Sequence, residues 1–468
     1  MVATGLVLLL VGVTHAQDPT PGPTVSIRRV PTAVPAFVGF TAKAGKKLVN
    51  RPIRIGSIRD YERVFGGAEV LPLEVDVTER GGVIAVAVDV DPTPAHFLYY
   101  SMRSYFANGG GPCYVVSVGD YGTAFSSKRF VEAFRALERE DDVTLLAFPE
   151  AVLGSASQAG EIAAAALAQA YKLGDRFAIV DVWNAEPGGL DDINKVNSSF
   201  RSSLTNDASL RSFGAAYYPY VNTSFPIAYD ERSVIVRSHV TAGKAIPSGT
   251  PIRDRAVERE WPDVYKRIIE ELGKTFVRIP PSGAVAGAFV EMDNSRGVWK
   301  AVANVRLNGI EGTSVGVDAS FGEALNIDAS SGKSINPIRD MGGKGTLILG
   351  ARTLDGSSNE FRYESVRRLA IMVHESIQQG IAWAGTRPNN AQTWADTKSS
   401  VNDFLDHLFK DGAFAGRSAK ESYNVRVGLG ETMTASDVSK RRMIIEVGFA
   451  PLKPAEFVVL RIEQTTGS

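Results

Sequence analysis

The pattern of apolar and polar positions changes character along the chain. Between about Phe37 and Arg278, short apolar runs alternate with segments of helical spacing. "CYVVSV" (113–118), "VTLLAFP" (143–149), "RFAIVDVW" (176–183) and "SFGAAYYPYV" (212–221) read as strands, mostly buried on both faces. "SKRFVEAFRALERE" (127–140) and "AGEIAAAALAQAYKLG" (159–174) lie between them as amphipathic helices, the second stopped by Gly174. Such alternation predicts a mainly parallel sheet with helices on its faces, an α/β domain. A second regime begins between 282 and 345, after the helix "VYKRIIEELG" (264–273). There "KGTLILGARTL" (344–354) reads as a strand. Two long helices follow, one with Val366, Leu369, Val373, Ile377 and Ile381 on a stripe, the other with Trp394, Val401, Leu405 and Leu408. Strands "SYNVRVGL" (422–429) and "RMIIEVGFA" (442–450) complete an α+β section.

Both ends read as extended arms. Residues 18–36 carry five prolines and one alternating piece, Val25 to Val30, in which Val25 and Ile27 would line an edge strand. The chain closes on "APLKPAEFVVLRIEQTTGS" (450–468), set off by Pro451 and Pro454. Along it Val458, Leu460 and Ile462 fall on one face, while Phe457, Val459, Arg461 and Glu463 fall on the other. Almost no chain remains to pair with this strand, so a partner is expected from another molecule. The resulting division is an apolar leader (1–17), an N-terminal arm (18–40), an α/β domain (41–335), an α+β domain (336–452) and a C-terminal strand arm (453–468).

Composition narrows the function only a little. A length of 468 residues implies more than one domain. Against 52 acidic residues stand 51 basic ones, so no global field points to nucleic acid or an anionic membrane. The single cysteine, Cys113, excludes an internal disulfide and a cysteine zinc cluster, and its apolar neighbours predict a buried thiol. The leader has an apolar run from Gly5 to Val13 without a basic start, which fits a secretory signal, a misplaced start codon or an apolar tail. As a secreted chain it would begin near Gln17.

Catalytic motifs are sparse. "GTSVG" (312–316) matches the G-x-S-x-G elbow, which would make Ser314 a nucleophile, but His374 and His407 downstream both fall inside helices. "SSGKS" (330–334) ends like a phosphate-binding loop with Ile327 where the first glycine belongs, so Lys333 reads as a solvated loop lysine. Asp181 ends a strand where α/β sheets place ligands, and is otherwise a turn or cap residue. No histidine has a second ligand at metal spacing, and no cofactor is expected.

Longer motifs decide the reading. "SGAVAGAFVEMDNSRGVWKAVAN" (282–304), "INPIRDMGGKGTLILGARTL" (335–354), "YESVRRLAIMVHESIQQGIAW" (363–383) and "VGFAPLKPAEFVVLRIEQ" (447–464), with the early "VPTAVPAFVGFT" (30–41), resemble the contractile tail sheath proteins of phages, R-type bacteriocins and extracellular contractile injection systems. The likeness is densest over the last 190 or so residues. Two departures stand out: "PGPTVSIRR" replaces the usual "PGVYxEE"-like arm, and Val302 stands where relatives commonly have proline. The resemblance implies a structural subunit and no enzyme, with an α/β outer domain, an α+β C-terminal inner domain and strand arms at both ends. Its partners would be copies of itself in stacked hexameric rings, an inner tube protein, and baseplate and terminal cap proteins, with no nucleic acid and no membrane insertion. Assembly would take place in the bacterial cytoplasm. It further implies that Phe457, Val458, Val459, Leu460, Arg461 and Ile462 form an intersubunit strand, with Val25 and Ile27 in the N-terminal arm. The helix after Tyr363 would face the tube, which makes Arg362, Arg367 and Arg368 candidates for pairing with acidic tube groups. A hydrolase using Ser314 is the alternative.

Overall fold

The computed structural model describes residues 25–452 and 458–467. The chain divides into two compact units, one of Val30–Glu375 and one of Ser376–Ser468 with the residues through Arg29.

The larger unit is built on a nine-stranded sheet. Numbered in chain order, six parallel strands form its middle: β5 (Cys113–Ser117), β1 (Pro35–Gly39), β6 (Leu145–Ala147), β7 (Phe177–Asp181), β8 (Gly214–Tyr218) and β15 (Asn336–Asp340). β2 (Ile53–Ile55) runs antiparallel beside β5, and β16 (Thr346–Ile348) with β13 (Val305–Arg306) closes the other end. Strands β1, β6, β7 and β8 are buried along their whole length, which explains their unbroken apolar runs. The helix Ala156–Leu173 ends on Gly174 at φ 73°, as its sequence predicts, and begins three residues earlier than predicted, at a reciprocal Ser155–Gln158 cap. Two small-residue positions set another contact. A Cβ at Gly283 or Gly287 of the helix Ser282–Arg296 would come within 2.3 Å of the Ser101 carbonyl or 2.5 Å of the Tyr105 carbonyl, so glycine there lets the helix Leu98–Ala107 approach backbone to backbone.

Two further sheets complete this unit. One is β11 (Thr250–Pro251), β10 (Val234–Val240), β3 (Leu73–Arg80) and β4 (Val83–Asp89); the other is β12 (Phe276–Ile279), β9 (Val221–Pro226) and β14 (Ile310–Thr313). The β3–β4 hairpin turns on Gly81 and Gly82, both at positive φ.

Two expected boundaries move. Residues 35–39, placed in the arm by sequence, are the strand between β5 and β6; five consecutive buried positions make them core in spite of the flanking prolines. Strands β15 and β16, placed in the α+β domain, extend the large sheet, so the division falls inside the helix Glu364–Gly380 rather than at 335.

In the smaller unit, the helix Ala391–Lys410 starts at Asn390, whose side chain accepts from the Thr393 amide. It buries Val401, Phe404, Leu405 and Leu408. An antiparallel sheet of β17 (Tyr423–Arg426), β18 (Arg442–Phe449) and β19 (Val458–Thr465) supplies Met443, Ile445 and Val447 to the buried set.

Candidate assembly site

β19 holds most of the predicted arm. Its face alternates as expected: Val458 and Ile462 are 0% and 1% exposed, and Leu460 is half-buried. Val459 and Arg461 point to solvent, with Val459 57% exposed. Phe457 lies outside the described residues. The expectation of a missing partner is corrected. β19 pairs with β18 of its own chain in one uninterrupted register, from Phe449 opposite Val458 to Arg442 opposite Thr465. The physical reason is a match of length and pattern: both strands have eight residues, and Ile445 faces Ile462 across the buried side. On the other face Arg442 clasps the Glu463 carboxylate with two bonds of 2.6 and 2.9 Å. Beyond the strand the Thr466 amide donates to the Arg441 carbonyl at 2.9 Å, and the Gly467 amide to the Arg387 carbonyl at 2.8 Å.

The N-terminal candidates are no strand either. Residues 25–34 lie outside every strand of the described chain. The Val25 amide donates to Ser400 Oγ at 3.2 Å, Arg29 pairs with Asp411, and Ile27 is 8% exposed against Gly380. A Cβ on Gly380 would meet Ile27 at 2.7 Å, so this glycine makes the seat. Side-chain burial and caps, rather than a backbone ladder, hold the segment.

Two of the three arginines expected to face a tube are engaged inside the larger unit. Arg368 is 4% exposed; its Nη1 donates to Asp293 Oδ1 at 3.0 Å, its Nη2 to the Thr32 carbonyl at 3.0 Å, and it lies 4.4 Å over the Phe289 ring. Arg367 is sandwiched between Phe361 at 3.3 Å and Phe213 at 4.2 Å, and donates to Ser212 Oγ at 2.6 Å. Burial lowers its pKa to about 9, which leaves it charged at neutral pH. Arg362, half-exposed, donates to the Ser358 carbonyl and to Asn359. Arg368 and Arg367 are therefore internal fasteners, because Asp293, Phe289 and Phe213, distant in sequence, converge on them.

The place where an open α/β sheet holds ligands is filled by the chain itself. Strand order reverses at β1, with β5 on one side and β6 on the other, and crevices form beyond the carboxyl ends there. Glu150, just past β6, occupies that point, fully buried. Its Oε2 accepts from the Phe40 amide at 2.7 Å, while Oε1 accepts from the Phe97 and Leu98 amides at 2.9 Å each. It thus caps the helix Leu98–Ala107, whose own N-cap residue Phe97 has no side-chain acceptor. Burial raises the Glu150 pKa to about 7 against the opposing pull of His96 and these three bonds. Asp181, at the end of β7, serves the helix Ser282–Arg296 in the same way by accepting from the Ser282 amide at 2.8 Å, and burial also raises it to about 7. Of the two readings for Asp181, the cap is the one seen. A third buried acid, Glu364, accepts from Tyr217 Oη at 2.8 Å and from the Val302 amide at 3.1 Å.

The catalytic candidates are similarly committed. Ser314 Oγ donates to the Ala185 carbonyl at 2.9 Å, so its hydroxyl proton goes to backbone and not to a base. Lys333, read as solvated, is 3% exposed; its ammonium donates to the Arg201 and Leu204 carbonyls and to Asn206 Oδ1 at 2.7, 3.0 and 3.0 Å. It neutralises loop carbonyls where a phosphate cradle would need free amides. Among the described residues no group of three His, Cys, Asp or Glu could hold a metal ion, and no helix is long and apolar enough to cross a membrane. Sequence reasoning missed Glu150 and Asp293. The acid in "LLAFPEAVL", flanked by apolar residues on both sides, was a signal that could have found the first.

Comparison with known proteins assigns this architecture. Residues 357–465 match the phage tail sheath C-terminal domain family. The C-terminal part of the chain is similar to a tail sheath domain. Likeness to sheath structures extends over the whole length of the chain. A chain in the six-fold symmetrised baseplate of the anti-feeding prophage is 27% identical, with 98% of this chain and 99% of that chain covered and a TM-score of 0.61. A chain of the anti-feeding prophage helical sheath in its contracted state is 26% identical, with coverage of 97% and 99% and a TM-score of 0.62. The PVC sheath complex of an extracellular contractile injection system, also contracted, matches at 26% identity, 97% and 98% coverage and a TM-score of 0.61. The sheath tail protein of Desulfitobacterium hafniense, at 9% identity and a TM-score of 0.54, shares the fold. A search of curated proteins gives no match. The resemblance read from the motifs is thereby borne out, and the similarity supports a sheath subunit of a phage tail or contractile injection particle.

Proposed function

We propose that this chain is the structural subunit of a contractile sheath that polymerises as stacked hexameric rings around an inner tube and shortens to drive the tube through a target envelope. The carrying observation is end-to-end similarity to chains of contracted sheath assemblies, together with the match to a tail sheath domain at residues 357–465. In this reading Val458 to Ile462 join the sheet of a neighbouring subunit, where main-chain bonds supply strength and alternate side chains supply register. The α/β unit stands outermost and the α+β unit inward, and Arg362 is left as the arginine available to a tube. Burying Val458 and Ile462 is worth about 1.5–3 kcal/mol each, but β18 of the same chain already supplies that burial in the free subunit. One arm alone is therefore close to neutral, and the polymer depends on many linked contacts. Contraction is a shift from a metastable lattice to a lower one, with the work stored in contacts between subunits.

Electron microscopy of the purified chain mixed with its tube protein tests the reading. Hollow helical cylinders of two lengths and diameters are expected; dispersed monomers at all concentrations, with or without tube, would refute it.

A further inference from the structure

We infer that β19 is a clasp in the free subunit: seated on β18 of its own chain, it closes the sheet edge through which neighbours would be joined, and assembly starts only when it leaves. The inference rests on the strand-exchange reading above and adds a control step to it.

A segment that merely waits for a partner would be loosely held. β19 is held along its length and beyond it. Its eight residues keep one register on β18, Val458 and Ile462 are fully enclosed, and the Arg442–Glu463 fork braces the exposed face. Past the strand, Thr466 and Gly467 add main-chain bonds to Arg441 and Arg387. Gly467 is fitted closely there, since a Cβ on it would lie 2.9 Å from the Thr386 carbonyl carbon. If a neighbour's β19 later fills the same slot on β18, the pairing lost and the pairing gained are identical. They cancel in the final equilibrium and survive only in the barrier, because the resident strand must peel off first. A free chain should therefore persist as a closed monomer under conditions where the polymer is the more stable form, and growth should be confined to seeds or templates.

A reversible lock tests this. The Thr466 amide bond to the Arg441 carbonyl fixes which pairs of the ladder carry hydrogen bonds, and by alternation Glu446 and Arg461 face each other at an open pair. Such pairs bring Cα atoms to about 4.5 Å, within disulfide range. Glu446 is half-buried and Arg461 exposed, while the native Cys113 is buried, so Glu446→Cys with Arg461→Cys can be oxidised selectively in the full chain. Oxidised as a monomer, the double variant should fail to assemble on tubes, and reducing that same sample should restore assembly. Oxidised after assembly, it should yield ladders of disulfide-linked chains on a denaturing gel. Equal assembly of the oxidised and reduced monomers, or only intrachain disulfides in the polymer, would overturn the clasp while leaving a sheath in place. Absence of particles from wild type and reduced variant alike would overturn the sheath reading with it. Hydrogen exchange on the wild-type free chain gives an independent check: the alternate β19 amides that face β18, those of Leu460, Ile462 and Gln464, should be protected, and exchange there as fast as in an unstructured segment would also overturn the proposal.

Discussion

Arg368→Ala separates an internal fastener from a tube-facing charge. The substitution removes two bonds to Asp293, one to the Thr32 carbonyl and the stacking on Phe289. Asp293, whose side chain is 1% exposed, is left charged and uncompensated. Breaking a buried pair from one side costs about 3–5 kcal/mol, whereas replacing both partners by apolar groups of similar volume is often close to neutral. In a unit of this size that cost lowers the melting temperature by roughly 4–7 °C. The contrast is the measurement: Arg368→Ala should melt early by differential scanning calorimetry, while Arg368→Met with Asp293→Leu should stay within about 1.5 kcal/mol of wild type. The double variant should also assemble on tubes normally. A single variant that melts like wild type, or a double variant that is stable yet fails to assemble, would refute the assignment of Arg368 to the interior.

Three other outcomes are expected. Burial raises the folded pKa of Glu150 to about 7, above the ordinary glutamate range, so the folded state holds the proton more tightly. Stability should then fall as pH rises from about 4.5 to 7, by about 3 kcal/mol from this group alone, and urea titrations of Glu150→Gln across that window should show a slope smaller by that amount. Gly380→Ala places a methyl where Ile27 sits, and should release the 25–29 segment at a cost of about 1–3 kcal/mol, read as faster hydrogen exchange at Ile27. Lys333→Met leaves three acceptors unmatched in a buried loop and should destabilise the larger unit by about 2–4 kcal/mol, measured by chemical unfolding.

What the sequence disclosed follows from which interactions are periodic. The helices at 127–137, 156–173, 262–272 and 391–410 and the strands β5 to β8 were legible because burial repeats along them. Helix Ser282–Arg296 was quoted only as a motif: its first nine residues are buried on every side, so it shows no stripe. The β3–β4 hairpin was missed although Gly81-Gly82 is a turn signal, and β1 was hidden by neighbouring prolines that usually mark an arm. At the site, the alternation of Val458, Leu460 and Ile462 was read correctly, but which strand they would meet was not. Pattern specifies a face, and leaves open whether the partner belongs to the same chain. The same limit misplaced Arg367 and Arg368, since a charge on a helix looks solvated until Asp293, Phe213 and Phe361 are folded against it.

The plugged switch point and the clasped strand bear on one mechanical question. An α/β sheet ordinarily offers its carboxyl ends to substrates because unfilled amides gather there. Here Glu150 and Asp181 take up those amides and tie helices 98–107 and 282–296 to the strands, which converts the usual ligand crevice into internal bracing. In the proposed sheath a subunit braced in this way would transmit force instead of yielding to it, and its exchangeable part would be the eight-residue strand seated on β18. In the proposed lattice the free energy of contraction then belongs to the contacts between subunits. Substitutions at Glu150 should change how firmly each subunit stands, and substitutions along β19 should change whether and when subunits join.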